Sequence, residues 1–321
     1  MARIVFGRKY KKSVEYGKYA LIFLIPFFLV FLVFQFYPML DTFYRSFVFS
    51  FKNGRNTIAT PGLSTGNFEN YVFGSAGGGE FWQAFGITML LWVVNFIPQL
   101  ALSLLLAAWF TDNFHKLPGV KTYKFIMFLP NIVTAATVSV LFYNFCYGHG
   151  PLVTLFEKMG ITLDINKGLT SLFIIAFIQC WMWFGNTMII LISGILGLNP
   201  SFYEAARVDG ATSRQQFFMI TLPLLKPVIQ YTLITSLIGG LQMFDIPFLF
   251  NNGGPVIPAG DTPVASTKTV VMLIKRYATP GEAQNLGKAG AYSVVLFIIT
   301  LILSLIFYRL TTEKKSRRRG W

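Results

Sequence analysis

An all-α, polytopic membrane protein with six transmembrane helices is the fold class this sequence predicts, and three observations carry it. Only 12% of the 321 residues are charged, half of the roughly 25% usual in soluble domains. Hydrophobic residues make up 54% and fall into six runs, each near the roughly 20 residues that cross a hydrocarbon core. The short alternating segments of a membrane β-barrel are missing, so each run must be a helix that satisfies its own backbone in lipid.

The first run, Tyr19–Tyr37, follows a basic tail as a signal peptide would. Phe34-Gln35-Phe36-Tyr37-Pro38 offers no small-x-small cleavage site, so the run reads as an uncleaved span. Residues 38–84 are turn-rich, with Asn53-Gly54, Pro61-Gly62 and Gly77-Gly78-Gly79, and read as one compact loop. The second, third and fourth spans are Phe85–Phe110, Phe125–Tyr147 and Leu172–Leu198, the last stopped by Asn199-Pro200. The fifth is Pro227–Ile246. A second long loop, 247–288, includes Val270–Tyr277, which reads as a short helix returning toward the membrane, and Tyr292–Leu310 closes the series. The chain divides into a basic tail, first span and loop (1–81), a five-helix core (82–311) and a second basic tail (312–321). No internal repeat is visible, which argues against an inverted-repeat secondary transporter.

Charge sets the orientation. Eighteen of the 27 lysines and arginines fall in the two tails and in the loops after the second and fourth spans. The positive-inside rule therefore places both termini and those loops in the cytoplasm. Much of the net charge of +14 is explained by topology and anionic lipid. The basic tails are short and juxtamembrane, so nucleic acid is not an expected partner.

The loop 199–217 is the most punctuated polar segment. Ser201-Phe202-Tyr203-Glu204 fits a capping box with Ser201 at the N-cap. Gly210 suits the left-handed residue that ends a short helix. Thr212 or Ser213, with Gln215 or Gln216 three residues on, is placed to cap a second helix running toward Pro223. On local physics this is either a well-capped turn or a surface presented to a partner.

Catalytic and metal chemistry find little support. Gly62-Leu63-Ser64-Thr65-Gly66 matches the GxSxG pattern but lies in a loop without strand-turn-helix context. The two histidines, His115 and His149, are expected on opposite sides of the membrane, so neither a triad nor a metal site is expected. Gly281 to Lys288 has the wrong spacing for a phosphate loop, and Ala289 replaces the Ser/Thr that would hold Mg²⁺. Cys146 and Cys180, on separate runs, suggest no disulfide framework.

Polar and aromatic groups within spans are costly in lipid and face a cavity or another helix. They are Asn95 and Gln99 on the second span, Tyr143 and Asn144 on the third, and Gln179, Trp181, Trp183 and Asn186 on the fourth. Gln242 and Asp245 come late in the fifth. Asn95 and Gln99, four residues apart, share a helix face. Amides, a carboxylate and aromatic plates suit sugar recognition; helix–helix hydrogen bonding and interfacial anchoring compete for the same residues. The inventory holds no cluster of acids for a polyamine or of bases for a phosphate.

Glu204-Ala205-Ala206, Asp209-Gly210-Ala211 and Leu222-Pro223 resemble the EAA loop of ABC importer permeases. Leu198-Asn199-Pro200, Phe244-Asp245 with Gly253-Gly254-Pro255, and Gly287 to Ser293 are similar to further segments of the carbohydrate-uptake branch, typified by the larger maltose-type permease subunit. The resemblance covers about residues 82–310, without that subunit's extra N-terminal helices or large external insertion. It implies the type I ABC importer permease fold, a non-catalytic subunit of a bacterial cytoplasmic membrane, and sugar import. It further implies a second permease chain forming a heterodimer, an extracytoplasmic solute-binding protein, and two ATPase subunits that carry ATP and Mg²⁺. Tyr203, Glu204, Ala205, Ala206, Asp209 and Gly210 would form the ATPase-coupling contact.

Overall fold

The computed structural model describes residues 17–53, 56–74, 78–112, 117–259 and 262–312. Most of both basic tails, with Gly54, Gly77, His115 and Lys116, lies outside the described residues. The described chain is helical, with two small hairpins. It begins with α1 (Gly17–Phe31), a π turn (Leu32–Phe36) and α2 (Tyr37–Ser46), so the first span continues well past its expected end at Tyr37. Pro38 does not stop it. The π turn ends two residues ahead of the proline, widening the backbone where an α-helical carbonyl would otherwise meet the ring.

The hairpin β1 (Ser50–Asn53) with β2 (Asn56–Ala59) and the turn α3 (Gly66–Phe68) fill the first loop. Next come α4 (Gly78–Phe110), α5 (Val120–Ile132), α6 (Ala135–Cys146) and α7 (Pro151–Lys158). After them run α8 (Gly168–Leu196), α9 (Pro200–Val208), α10 (Ser213–Gln216), a π turn (Phe217–Thr221) and α11 (Leu222–Leu224). This π turn, like that at Leu32–Phe36, ends two residues before a proline, Pro223. The chain closes with α12 (Lys226–Leu241), α13 (Asp245–Asn251), the hairpin β3 (Val256–Ala259) with β4 (Thr262–Ala265), α14 (Val270–Ala278) and α15 (Leu286–Thr311).

Among the described residues four helices are long and apolar enough to cross a membrane, or six spans if each of two bent pairs counts as one. The expected third span is one of these pairs: α5 and α6 meet at 88°. Val133 and Thr134 are extended there, and the Thr134 hydroxyl accepts from the Thr137 N–H, so a new helix starts where the old one stops. The expected fifth span is shorter than Pro227–Ile246. It ends at Leu241 after Gly239-Gly240, and Asp245 then starts α13.

The core is built on α4 against α8, the most extensive helix pair. Ser103 Oγ donates to the Phe184 carbonyl at 2.8 Å, and Gly185 lies so close to α5 that a Cβ would sit 2.2 Å from the Met127 oxygen. One apolar cluster joins α4, α12, α14 and α15 through Trp92, Phe96, Leu237, Leu241, Leu273 and Tyr292. A second gathers α6, α8 and α13; a third lies toward the α9 end. Outward faces stay apolar, as a hydrocarbon solvent requires: Phe23 is 80% and Phe34 71% exposed.

At the end of the bundle opposite α9, an ionic cluster ties α4, α14 and α15. Lys288 Nζ donates to Glu80 Oε2 at 3.1 Å, the Tyr277 hydroxyl donates to the same oxygen at 2.7 Å, and Arg276 lies 3.6 Å from Oε1. The Lys288 ammonium also sits 4.0 Å from the Tyr277 ring centre. Burial, and then the bond to Glu80, hold the Tyr277 phenol above the ordinary tyrosine range, so it remains the donor. Asn285 caps α15 by accepting from the Lys288 N–H at 2.9 Å.

Candidate functional site

Two concave sites lie at different depths of the bundle. The first is a cavity of about 380 Å³ between α4, α8, α12 and the start of α13. Seven of the ten polar and aromatic residues singled out within the spans line it: Asn95, Gln99, Gln179, Trp183, Asn186, Gln242 and Asp245. Tyr143 and Asn144 lie outside that lining. Tyr143 stacks on Tyr147 at 5.2 Å and meets Phe250 edge-on at 5.9 Å, while Asn144 Nδ2 donates to the Val140 carbonyl of its own helix at 2.8 Å. Trp181 packs against Phe142.

Hydrogen bonding divides the lining residues. Gln99 is buried and its Nε2 donates to Thr187 Oγ1 at 2.8 Å, and Asn95 Nδ2 donates to the Leu91 carbonyl at 2.8 Å. Both are engaged within the protein, and Gln99 ties α4 to α8. Gln242 and Asp245 are exposed instead, because the break after Leu241 turns them out of the helix. Trp183 keeps 46% of its surface accessible. Among the described residues, Asp245 is the one ionisable side chain in the lining.

Sequence reasoning missed Trp92, Thr235, Ser236 and Phe244, all of which line the cavity. The signal for them was Gly239-Gly240 near the end of an apolar run, a place where a span can break and another side chain can come close. Trp92 Nε1 donates to Ser236 Oγ at 3.1 Å, joining α4 to α12.

The second site is a groove of about 720 Å³ where α9 stands away from the ends of α4 and α8. Asn199, not Ser201, is the N-cap of α9: its side chain accepts from the Ser201 N–H at 3.0 Å and Pro200 takes the first helical position. An Asn-Pro pair is better suited to that start, since proline fixes the first helical φ and has no N–H left over. Gly210 has φ +77° and ends the helix as expected. Thr212 and Gln215 form a capping box at α10. No residue of α9 is buried, and Val208 is 89% exposed.

Tyr203 and Glu204 line this groove, and the Tyr203 hydroxyl is 2.9 Å from Thr221 Oγ1, fastening α9 to the following π turn. Ala205, Asp209 and Gly210 are exposed and Ala206 half-buried. The result is a short, capped, anchored helix projecting from the bundle. Ser64, by contrast, accepts from the Gly66 N–H at 3.1 Å in a tight turn. Among the described residues no group of three or more His, Cys, Asp or Glu is placed to hold a metal ion.

Comparison with known proteins agrees with this architecture. The chain is 29% identical over 298 residues to the lactose transport system permease protein LacF of Rhizobium radiobacter, covering 92% of this chain and 94% of that one. It is 28% identical over 313 residues to the arabinooligosaccharides transport system permease protein AraP of Bacillus subtilis, covering 95% and 91%. A bacterial ABC transporter involved in import of the acidic polysaccharide alginate shares the fold, with a TM-score of 0.72 at 20% identity over 92% of this chain and 96% of that one. Residues 70–314 match one family throughout, and the chain belongs to it: the binding-protein-dependent transport system inner membrane components.

Proposed function

We propose that this chain is a membrane-spanning, non-catalytic subunit of an ATP-driven importer that carries a sugar or oligosaccharide into the cell by alternating access. The observation that carries the reading is the polar cavity inside an apolar bundle, lined by amides, hydroxyls, indoles and one carboxylate. Hydroxyl-rich, uncharged guests match that chemistry, whereas a phosphate ester would find no lysine, arginine or histidine in the lining. The relatives named for lactose and arabinooligosaccharides support the same substrate class.

Energy must come from separate chains. In this reading two ATPase subunits bind ATP and Mg²⁺ on the side bearing α9, both termini of this chain lie on that cytoplasmic side, and a second permease chain completes the pathway. A solute-binding protein delivers the sugar at the opposite end. The contact with the ATPase is assigned to Tyr203, Glu204, Ala205, Ala206, Asp209 and Gly210. The small side chains of Ala205 and Ala206 let a partner approach closely. The anchored turn transmits force by packing, since an exposed ion pair contributes only about 0–1 kcal/mol.

The test is co-purification of the chain with its partner subunits and uptake of lactose, maltotriose and arabinotriose by proteoliposomes. Vanadate-sensitive, ATP-dependent uptake of at least one of them is expected. Uptake that proceeds without ATP overturns the reading.

A further inference from the structure

Phe244 sits at the break between α12 and α13, half-buried, with its side chain in the cavity lining beside the exposed Gln242 and Asp245. Its backbone is neither helical nor regular extended (φ −137°, ψ −54°), so no helix fixes its ring. Two other groups do. Phe248, one turn into α13, stacks on it with ring centres 4.8 Å apart and planes 22° apart. Lys275, from α14, places its ammonium 3.7 Å from the Phe248 ring centre and 4.7 Å from that of Phe244. Both distances are well inside the roughly 6 Å over which a cation is held by an aromatic face.

We infer that Phe244 is an aromatic contact for the sugar at the rim of the cavity, and that Lys275 is a positioning residue that holds the Phe244–Phe248 pair in place for it. The inference deepens the sugar-import reading and rests on it. Sugar rings present a C–H face that packs on an aromatic plane, while their hydroxyls need the hydrogen-bonding groups that Gln242 and Asp245 supply next door. Lys275 is absent from the cavity lining, so it acts through the rings and not by touching solute. Its ammonium, shared between two rings, orders an aromatic side chain that the broken helix leaves free to turn.

The experiment is uptake of radiolabelled lactose, maltotriose and arabinotriose by cells expressing the complete transporter, with KM and Vmax measured for each sugar taken up. Phe244→Leu is expected to raise KM about tenfold, and Lys275→Met about three- to tenfold, the scale of a lost cation–π contact. Vmax should stay within twofold. Phe244→Trp and Lys275→Arg, which preserve the aromatic face and the cation, should restore KM. Transporter abundance in the membrane, measured alongside, should be equal in all variants. If sugars are imported but Phe244→Leu and Lys275→Met leave KM within twofold, or act only through Vmax or abundance, the aromatic-rim proposal is overturned and the sugar reading stands. If the unsubstituted transporter imports none of the three sugars, both fall.

Discussion

Gly240 rests directly on the indole of Trp92: a Cβ built on the glycine would lie 2.2 Å from Trp92 Cδ1 and 3.0 Å from its Cβ. The contact lets α12 approach α4 closely enough for Trp92 to reach Ser236, and it brings both helices to the same cavity wall. Gly240→Ala should therefore push a buried indole aside in a packed core, at a cost of about 1–3 kcal/mol. The expected outcome is a lower melting temperature of the purified complex together with impaired uptake. An unchanged melting curve would contradict the close contact.

Gly210 tests the projecting helix. Its φ of +77° strains any residue with a Cβ, yet nothing lies within 4 Å of where that Cβ would be. Gly210→Val should thus act through the turn alone, costing about 1–2 kcal/mol locally. Stimulated ATPase activity and uptake should fall while the bundle melts normally. Gly210→Asn, tolerant of the left-handed region, should retain more of both.

Gln99 and Asp245 should separate by phenotype. Gln99 is buried and bonded to Thr187, so Gln99→Leu should strand that hydroxyl and lower thermal stability by about 1–2 kcal/mol, with KM little changed. Asp245 and Gln242 are exposed in the cavity, so Asp245→Asn and Gln242→Ala should raise KM for uptake several-fold, with stability little changed. Kinetics and melting measured on the same preparations check both halves.

The Glu80–Lys288 pair predicts a coupled loss. Lys288→Met leaves Glu80 with Tyr277 and the more distant Arg276. A destabilisation of about 2–3 kcal/mol is expected, at or below the lower end for a buried pair because 31% of the Glu80 side chain remains exposed. Glu80→Gln combined with Lys288→Met should cost less than the two single changes added, and a double-mutant cycle by thermal unfolding measures the difference.

The membrane fold was legible because hydrocarbon as a solvent leaves few options: long apolar runs must be helices, and their number follows by counting. The breaks were not. Phe125–Tyr147 reads as one apolar run, and nothing in its hydropathy marks Val133 and Thr134 as extended or Thr134 as the cap of a new helix. The first span was expected to end at Tyr37, because the π turn that carries the helix past Pro38 has no composition signal. The loop 199–217 was read closely, since Gly210, Thr212 and Gln215 act through local geometry; the first cap moved, from Ser201 to Asn199. Cavity residues were partly legible through polarity. Trp92 and Phe244 escaped because an aromatic side chain in a span looks the same whether it meets lipid, another helix or a vestibule.

Besides helical residues of α12, the cavity wall takes in residues at two helix ends: Ala135, the first of α6, and Gln242, Met243 and Phe244, between α12 and α13. Peptide groups at the second of these ends keep partners within the chain: the Gln242 and Met243 N–H groups donate to the Ile238 and Gly240 carbonyls at 3.2 Å, and the Met243 carbonyl accepts from Thr269 Oγ1 at 2.8 Å. A helix end bonded in this way can stand in a cavity wall at membrane depth without leaving those peptide groups to lipid, the one setting in which irregular backbone is tolerated there.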